Sequence, residues 1–313
     1  MSSTLKEFRY EFVLGVLLVG LTAIASWLMP NFLQLRGQLL LSKHLWETAI
    51  LAVAMTPIII TGGIDLSVGS AMGMCAVAFG ICFQTTHSIA LSCCVCLAVG
   101  TLGGALNGLL ISKLKVHPLI ITLATYAGFR GVAEGVSQGK SYSQFGDAFG
   151  QLARGTLFSV PLPAYIFVLL ALATAVWLGK TPSGRFTYAI GHNETATRFS
   201  GVNVERIKFL LYTCSGLLAG LATLIYVARF DTAKADAGIN FELDVITAVV
   251  VGGTSIFGGR GNMLGTLLGL LLIHESKQFV GRYLRIDELK SIVVGTLLIG
   301  SLLMNGVVSR FRT

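Results

Sequence analysis

Apolar runs long enough to cross a lipid bilayer recur along the whole of this chain, and short polar segments separate them. The first reads FVLGVLLVGLTAIASWLM at 12–29 and stops at Pro30. A spanning helix needs about 20 mostly apolar residues, because the hydrocarbon core is about 30 Å thick. Further runs cover 44–61, 68–84, 88–111, 118–136, 161–178, 209–228, 244–258, 262–280 and 290–308. In hydrocarbon each backbone N–H and C=O must be satisfied inside the chain, which a helix achieves within a single segment. The expectation is an all-α, polytopic membrane protein with about ten transmembrane helices, forming a single transmembrane domain over 1–313.

Composition closes off the alternatives. Only 12% of the 313 residues are charged and 54% are hydrophobic, whereas a soluble domain carries about 25% charged residues. That excludes a soluble enzyme or binding module. The net charge of +8 is not gathered into one basic patch, so no nucleic-acid partner is expected. The basic residues lie in short segments between apolar runs, as at the cytoplasmic face of a membrane. Lys6 and Arg9 precede the first run, Lys113 and Lys115 fall in 112–117, and Lys180, Arg185, Arg198, Arg206 and Lys208 outnumber Glu194 and Glu205 in 179–208. The segment 229–243 is acidic on balance, and Arg310 and Arg312 close the chain. The pattern predicts cytoplasmic N- and C-termini. Its weak point is 281–289, where Arg282 and Arg285 fall on the outer side beside Asp287 and Glu288. The first run lacks a small-x-small cleavage site and reads as a spanning helix, not a signal peptide.

Two glycine-broken segments echo each other: GGIDLSVG at 62–69 and GGTSIFGG at 252–259. Both interrupt apolar stretches and both map to the inner side. Broken hydrophobic segments in corresponding positions of two repeats mark transporters and their binding sites. Asp65 is the most unusual residue, because an ionised carboxylate in hydrocarbon is costly unless it faces protein, water or a cap. It either caps the helix that starts near Leu66, assisted by Ser67, or lines a solute path; the cap is the favoured reading. Asn107, Thr122 and Thr125 are polar groups inside apolar runs that bond to neighbouring helices or to a polar solute. Ser255 stands in the second broken segment. Together Asp65, Ser67, Asn107, Thr122 and Ser255 are the candidates for the translocation path and its broken-helix segments. Arg130 either pairs with an acid, for which Glu134 four residues on is the candidate, or reaches an interface by snorkelling. His117 reads as an interfacial residue.

The six cysteines, at 75, 82, 93, 94, 96 and 214, sit in apolar runs without metal-ligand spacing and read as small buried hydrophobes; no metal site is expected. GxxxxGK[ST], HExxH and GxSxG do not occur, and GGRG at 258–261 lacks a strand before it. The polar loop 179–208 is too long for a plain turn. Asn193 can cap a short amphipathic helix ETATRF that Gly201 stops, on a surface suited to a soluble partner or to lipid headgroups.

GGIDLSVGS (62–70), GALNGLLISKLKVHPLIITLAT (104–125), RG (130–131), GRFTYAIGHNETATRFSGVNV (184–204), SGLLAGLA (215–222) and VVVGGTSIFGGRGNMLGTLLG (249–269) together resemble the permease subunits of bacterial sugar importers powered by ATP-binding cassettes. The closest group is the ribose, galactose, arabinose and xylose type, which includes autoinducer-2 permeases. The resemblance covers about residues 10–310. It implies an inner-membrane subunit that translocates a small sugar or sugar-like solute and makes no covalent bond. It also implies a second permease copy or a paralogue, two cytoplasmic ATP-binding subunits and an extracytoplasmic solute-binding protein. No cofactor is expected on this chain, since ATP and Mg would sit on the partner subunits. The ATPase coupling role would fall on Gly191, Asn193, Ala196, Ser200 and Gly201. The family pattern Asn-Pro-x-Ala-Ala is here Asn193-Glu194-Thr195-Ala196-Thr197, without the Pro and the second Ala. The alternative class is an ion-gradient-driven secondary transporter. It would want an acid in each repeat, and the place near Thr254 that corresponds to Asp65 has none.

Overall fold

The computed structural model describes residues 3–114, 116–286 and 288–310; Lys115, Asp287 and Arg312, which enter the charge reading, lie outside them. The helices are α1 (Ser3–Leu28), α2 (Leu35–Leu41), α3 (Trp46–Ile60), α4 (Val68–Thr86), α5 (Ile89–Leu114), α6 (Pro118–Ser137), α7 (Asp147–Arg154), α8 (Leu162–Lys180), α9 (Pro182–His192), α10 (Glu194–Phe199), α11 (Val204–Phe230), α12 (Phe241–Val251), α13 (Met263–Tyr283) and α14 (Glu288–Arg310). Two-residue strands form two small antiparallel pairs, β1 (Tyr142–Ser143) with β4 (Thr232–Ala233) and β2 (Thr156–Leu157) with β3 (Val160–Pro161).

Every one of the ten apolar runs is helical, but they are not ten full spans. Among the described residues, five helices are long and apolar enough to cross a membrane: Tyr10–Leu28 of α1, α4, α5, α8 and α11. The runs at 44–61 and 244–258 need correction. They hold α3, with 15 residues, and α12, with 11. At 1.5 Å per residue these rise about 22 and 16 Å, short of the hydrocarbon thickness. Hydropathy reads composition and runs on through an apolar glycine turn; the helix ends at that turn. Both stop inside the protein, where backbone outside a helix is tolerated because it is buried.

Glycine sets the centre of the bundle. α5 and α11 pack antiparallel with their backbones nearly touching. A Cβ on Gly104 would meet the Gly216 nitrogen at 2.8 Å, and one on Gly220 would meet the Cys96 carbonyl oxygen at 3.2 Å. The Cys96 thiol donates to the Gly220 carbonyl at 3.4 Å. Small residues permit this approach, which dispersion and close packing reward in a solvent as apolar as the side chains themselves. The outer surface suits lipid: Phe12, Trp27, Leu102, Ile120 and Leu169 are all exposed. The cysteines divide accordingly. Cys75 and Cys96 are buried, but Cys94 and Cys214 are exposed, which corrects the expectation that all six are core hydrophobes. An apolar residue in a membrane helix can face outward at no cost.

The two ends of the bundle separate as the charges predict. Ser112 and His117 line one cleft with Glu194 and Lys208, which puts 112–117 on the same face as α9 and α10. Arg229, Tyr226 and Lys290 share a cavity at the opposite face. At that face Arg229, in the last turn of α11, meets Glu47 in the first turn of α3. Their Nε and Oε1 are 2.8 Å apart, Glu47 is fully buried, and the guanidinium also lies 4.2 Å from the Phe230 ring centroid. Breaking one side of a buried pair strands the other charge, at about 3–5 kcal/mol. Glu47→Ala is therefore expected to lower the thermal unfolding midpoint sharply in detergent, and Glu47→Leu with Arg229→Met to restore most of the loss. Equal destabilisation by the single and double variants would show that the pair is not coupled.

Candidate functional site

The two sequence echoes are two copies of one helix stop. At the end of α3 the chain turns left-handed at Gly62 (φ 80°). Gly62 N–H donates to Ile59 O at 2.8 Å and Gly63 N–H to Ile58 O at 3.1 Å. At the end of α12 the left-handed residue is Gly253 (φ 93°). Gly253 N–H donates to Val250 O at 2.9 Å and Thr254 N–H to Val249 O at 3.2 Å. Each pair of bonds is a Schellman closure, which needs positive φ and so favours glycine. The stops match with a shift of one residue: the first glycine of one GG pair corresponds to the second of the other.

Beyond the first stop, four of the sequence-named residues come together. Asp65 is buried, and its Oδ1 accepts from Ser67 N–H at 3.0 Å and from Ser67 Oγ at 2.6 Å. Its Oδ2 accepts from Ser215 Oγ of α11 at 2.9 Å. Asn107 of α5 donates through Nδ2 to Ser67 Oγ at 2.8 Å. Thr122 of α6 donates to Ile64 O at 3.1 Å. The N-cap position of α4 belongs to Ser67, whose side chain makes no cap bond. Asp65 instead closes an Asx-type turn two residues earlier and ties that turn to α11. Three helices thus hold the 62–67 segment through side chains. Ser215 was not read from the sequence; a lone serine in SGLLAGLA reads as one more small packing residue. Tyr212 was also missed. Its Oη and Asn107 Oδ1 are buried without a hydrogen-bond partner among the described residues.

Ser255 sits apart from this cluster, inside the second turn. Its N–H donates to Arg260 O at 3.0 Å and its carbonyl accepts from Gly258 N–H at 2.9 Å. The two turns nevertheless touch, because Gly259 N–H donates to Ile60 O at 2.8 Å. Against this contact rests the C-terminal end of α9. A Cβ on Gly191 would overlap the Ile60 carbonyl and the Gly259 nitrogen, and one on Gly258 would come within 2.9 Å of Gly191 Cα and Gly62 N. Tyr188 Oη also donates to Gly261 O at 2.9 Å. α1 braces the second turn from another side, with Tyr10 Oη donating to Val251 O at 3.0 Å and Asn262 Nδ2 to Glu11 Oε1 at 2.6 Å. The 179–208 loop therefore holds an unexpected helix, α9, between α8 and the expected one.

That expected helix is α10. Asn193 Oδ1 accepts from Ala196 N–H at 2.9 Å, and Gly201 (φ 84°) stops the segment. Ser200 Oγ donates to Ala196 O at 3.0 Å. Glu194, where the family pattern has Pro, is tied to Lys208 at 2.5 Å and to Arg198 at 3.2 Å, and Arg198 reaches Glu205 at 2.9 Å. This knot pins α10 to the first turn of α11 while Phe199 stands almost wholly exposed. His117 caps α6, its Nδ1 accepting from Leu119 N–H at 3.3 Å. Arg130 does not pair with Glu134. It donates to the carbonyls of Ala235, Ala237 and Gly69, because it faces inward while Glu134, one turn on, is exposed.

An apolar-surfaced bundle whose two half-length helices end at touching turns defines a polytopic membrane permease. Residues 46–302 match the family described as the permease component of branched-chain amino acid transport systems. The chain is 40% identical over 263 residues to the ribose import permease protein RbsC of Escherichia coli, covering 82% of each chain. It is 38% identical over 262 residues to the corresponding protein of Haemophilus influenzae, covering 82% of this chain and 81% of the other. It is 33% identical over 300 residues to the autoinducer 2 import system permease protein LsrD of Photorhabdus laumondii, covering 94% of this chain and 90% of the other. No solved structure matches it. The chain belongs to this family of import permeases.

Proposed function

We propose that this chain is the membrane-spanning subunit of an importer for a small sugar or sugar-like solute, with ATP hydrolysed on separate cytoplasmic subunits. The observation that carries this reading is the seat of α9 on both helix breaks at once. A push on the α9–α10 face reaches the 62–67 and 252–262 turns directly, with no flexible link between. In this reading that face is cytoplasmic, an extracytoplasmic binding protein delivers solute to the opposite face, and a second permease copy or paralogue completes the path. Asp65, Ser67, Asn107 and Thr122 hold the first turn in shape, and Ser255 belongs to the second. Alternating access needs two arrangements within a few kcal/mol of each other. The unpartnered Tyr212 hydroxyl and Asn107 carbonyl favour such a pair, since buried polar groups left unbonded cost about 1–3 kcal/mol each and gain from rearrangement.

Proteoliposomes holding this chain with its ATPase and binding protein, screened with labelled pentoses, hexoses and autoinducer-2, test the proposal. ATP-dependent accumulation of one solute is expected; accumulation driven by a proton or sodium gradient without ATP would replace it with the secondary carrier. Gly63→Val adds a further expectation. A Cβ there would lie 2.6 Å from Tyr212 Oη, so uptake should stop while the ATPase subunit still co-purifies. Loss of the ATPase from the complex would instead show a general folding defect.

A further inference from the structure

A cavity of about 460 Å³ opens on the face opposite α9 and α10, between α3, α11, α12, α13 and α14. It lies away from the two helix breaks and none of the sequence-named residues lines it. Its size falls in the range of small-molecule pockets and equals about 15 water volumes at about 30 Å³ each. Its wall is more polar than a crevice for lipid tails would be. Asp244 of α12 and Lys277 of α13 form an ion pair in that wall, 2.6 Å apart. Thr48 and Gln278 add a hydroxyl and an amide. Tyr226 and Phe241 supply ring faces, edge to face with centroids 6.4 Å apart.

We propose that this cavity is a binding station for an uncharged polyhydroxylated solute of pentose to hexose size. The chemistry selects that class. The carboxylate accepts from two hydroxyls, the ammonium donates to a ring or hydroxyl oxygen, and aromatic faces cover the C–H side of a sugar ring. Asp244 and Lys277 are already matched to each other, so an ion of either sign would have to break that pair before gaining from it, and Lys290 and His274 add further nitrogen groups to the wall. Arg229, the strongest cation in the wall, is engaged by Glu47. The station rests on the transport reading above and places the first intramembrane contact of the solute on the delivery side.

The test uses the assembled complex in lipid nanodiscs, with Gln278→Cys as a reporter and the parent chain, which keeps its native cysteines, as baseline. The rate of labelling by a charged methanethiosulfonate reagent is measured with D-ribose, D-xylose and D-galactose in turn. One of these sugars is expected to slow labelling saturably, by about tenfold at 90% occupancy. Adding Asp244→Asn to the reporter should abolish that protection while the complex still assembles and elutes as before. Protection unchanged by Asp244→Asn would overturn the proposal. So would protection by none of the sugars. Slowing only when phosphatidylglycerol replaces phosphatidylcholine in the nanodisc would assign the cavity to a lipid headgroup instead. ATP-driven uptake by the same complex in vesicles reports on the transport reading separately, so the two can fail independently.

Discussion

Gly191→Val is expected to abolish solute uptake, and Gly191→Ala to reduce it strongly, while the ATPase subunits go on hydrolysing ATP. The three atoms nearest a new Cβ at position 191 are all backbone: the Ile60 carbonyl oxygen, the Gly259 nitrogen and the Gly258 carbonyl carbon. Backbone cannot swing away as a side chain can, so relief requires moving α9 or one of the turns. Either movement strains the Gly259 N–H···Ile60 bond that joins the two breaks. Overpacking of this kind costs about 1–3 kcal/mol, which corresponds to a shift of about 5–150-fold between two arrangements. Hydrolysis and uptake measured on the same vesicles give the answer. Normal uptake by the valine variant would show that α9 merely rests on the junction and transmits nothing.

The second large effect concerns Asp65. Asp65→Ala removes the acceptor of three hydrogen bonds and leaves Ser67 N–H and the Ser67 and Ser215 hydroxyls facing apolar surroundings. At about 1–3 kcal/mol for each unsatisfied group, the thermal midpoint should fall markedly and uptake with it. Asp65→Asn behaves differently. Its carbonyl oxygen can still accept from Ser67, and its amide can donate to the Ser215 hydroxyl, which accepts as readily as it donates. Stability within about 1 kcal/mol of the parent and retained uptake are expected. If Asp65→Asn keeps its midpoint but loses uptake, the charge itself is needed, and an ion-coupled mechanism gains the support it now lacks.

Much of this was legible in the sequence, for reasons that differ by residue. The apolar runs located every membrane helix because hydrocarbon leaves the backbone no other option. Asp65 and Asn107 stood out because polar groups are costly in such a setting, and the structure brings them together with Ser67 and Thr122. Asn193 and Gly201 framed α10 because capping is a local property. What was hidden depends on distant partners. Glu47 drew no attention in the 44–61 run, and Arg229 fell in the 229–243 segment; only the packing of α3 against α11 makes them a buried pair. Ser215 and Tyr212 carry no signal in a run of small and apolar residues. Arg130 was assigned to the acid nearest in sequence, whereas its guanidinium found carbonyls more than 100 positions away. The lengths of α3 and α12 were overread because glycine scores as neutral on a hydropathy scale while it ends a helix.

The pairing of stops and starts at the junction has an electrostatic consequence. α3 and α12 end there, and α4 and α13 begin at the far ends of the two turn segments. Each helix terminus carries about half an elementary charge, negative at the C-terminal end and positive at the N-terminal end. With two ends of each sign near the touching turns, the macrodipoles oppose one another there. A bare cation or anion meets attraction and repulsion together. A neutral molecule with many hydroxyls meets neither. Transit of such a solute would move no net charge, and its rate would be indifferent to the membrane potential.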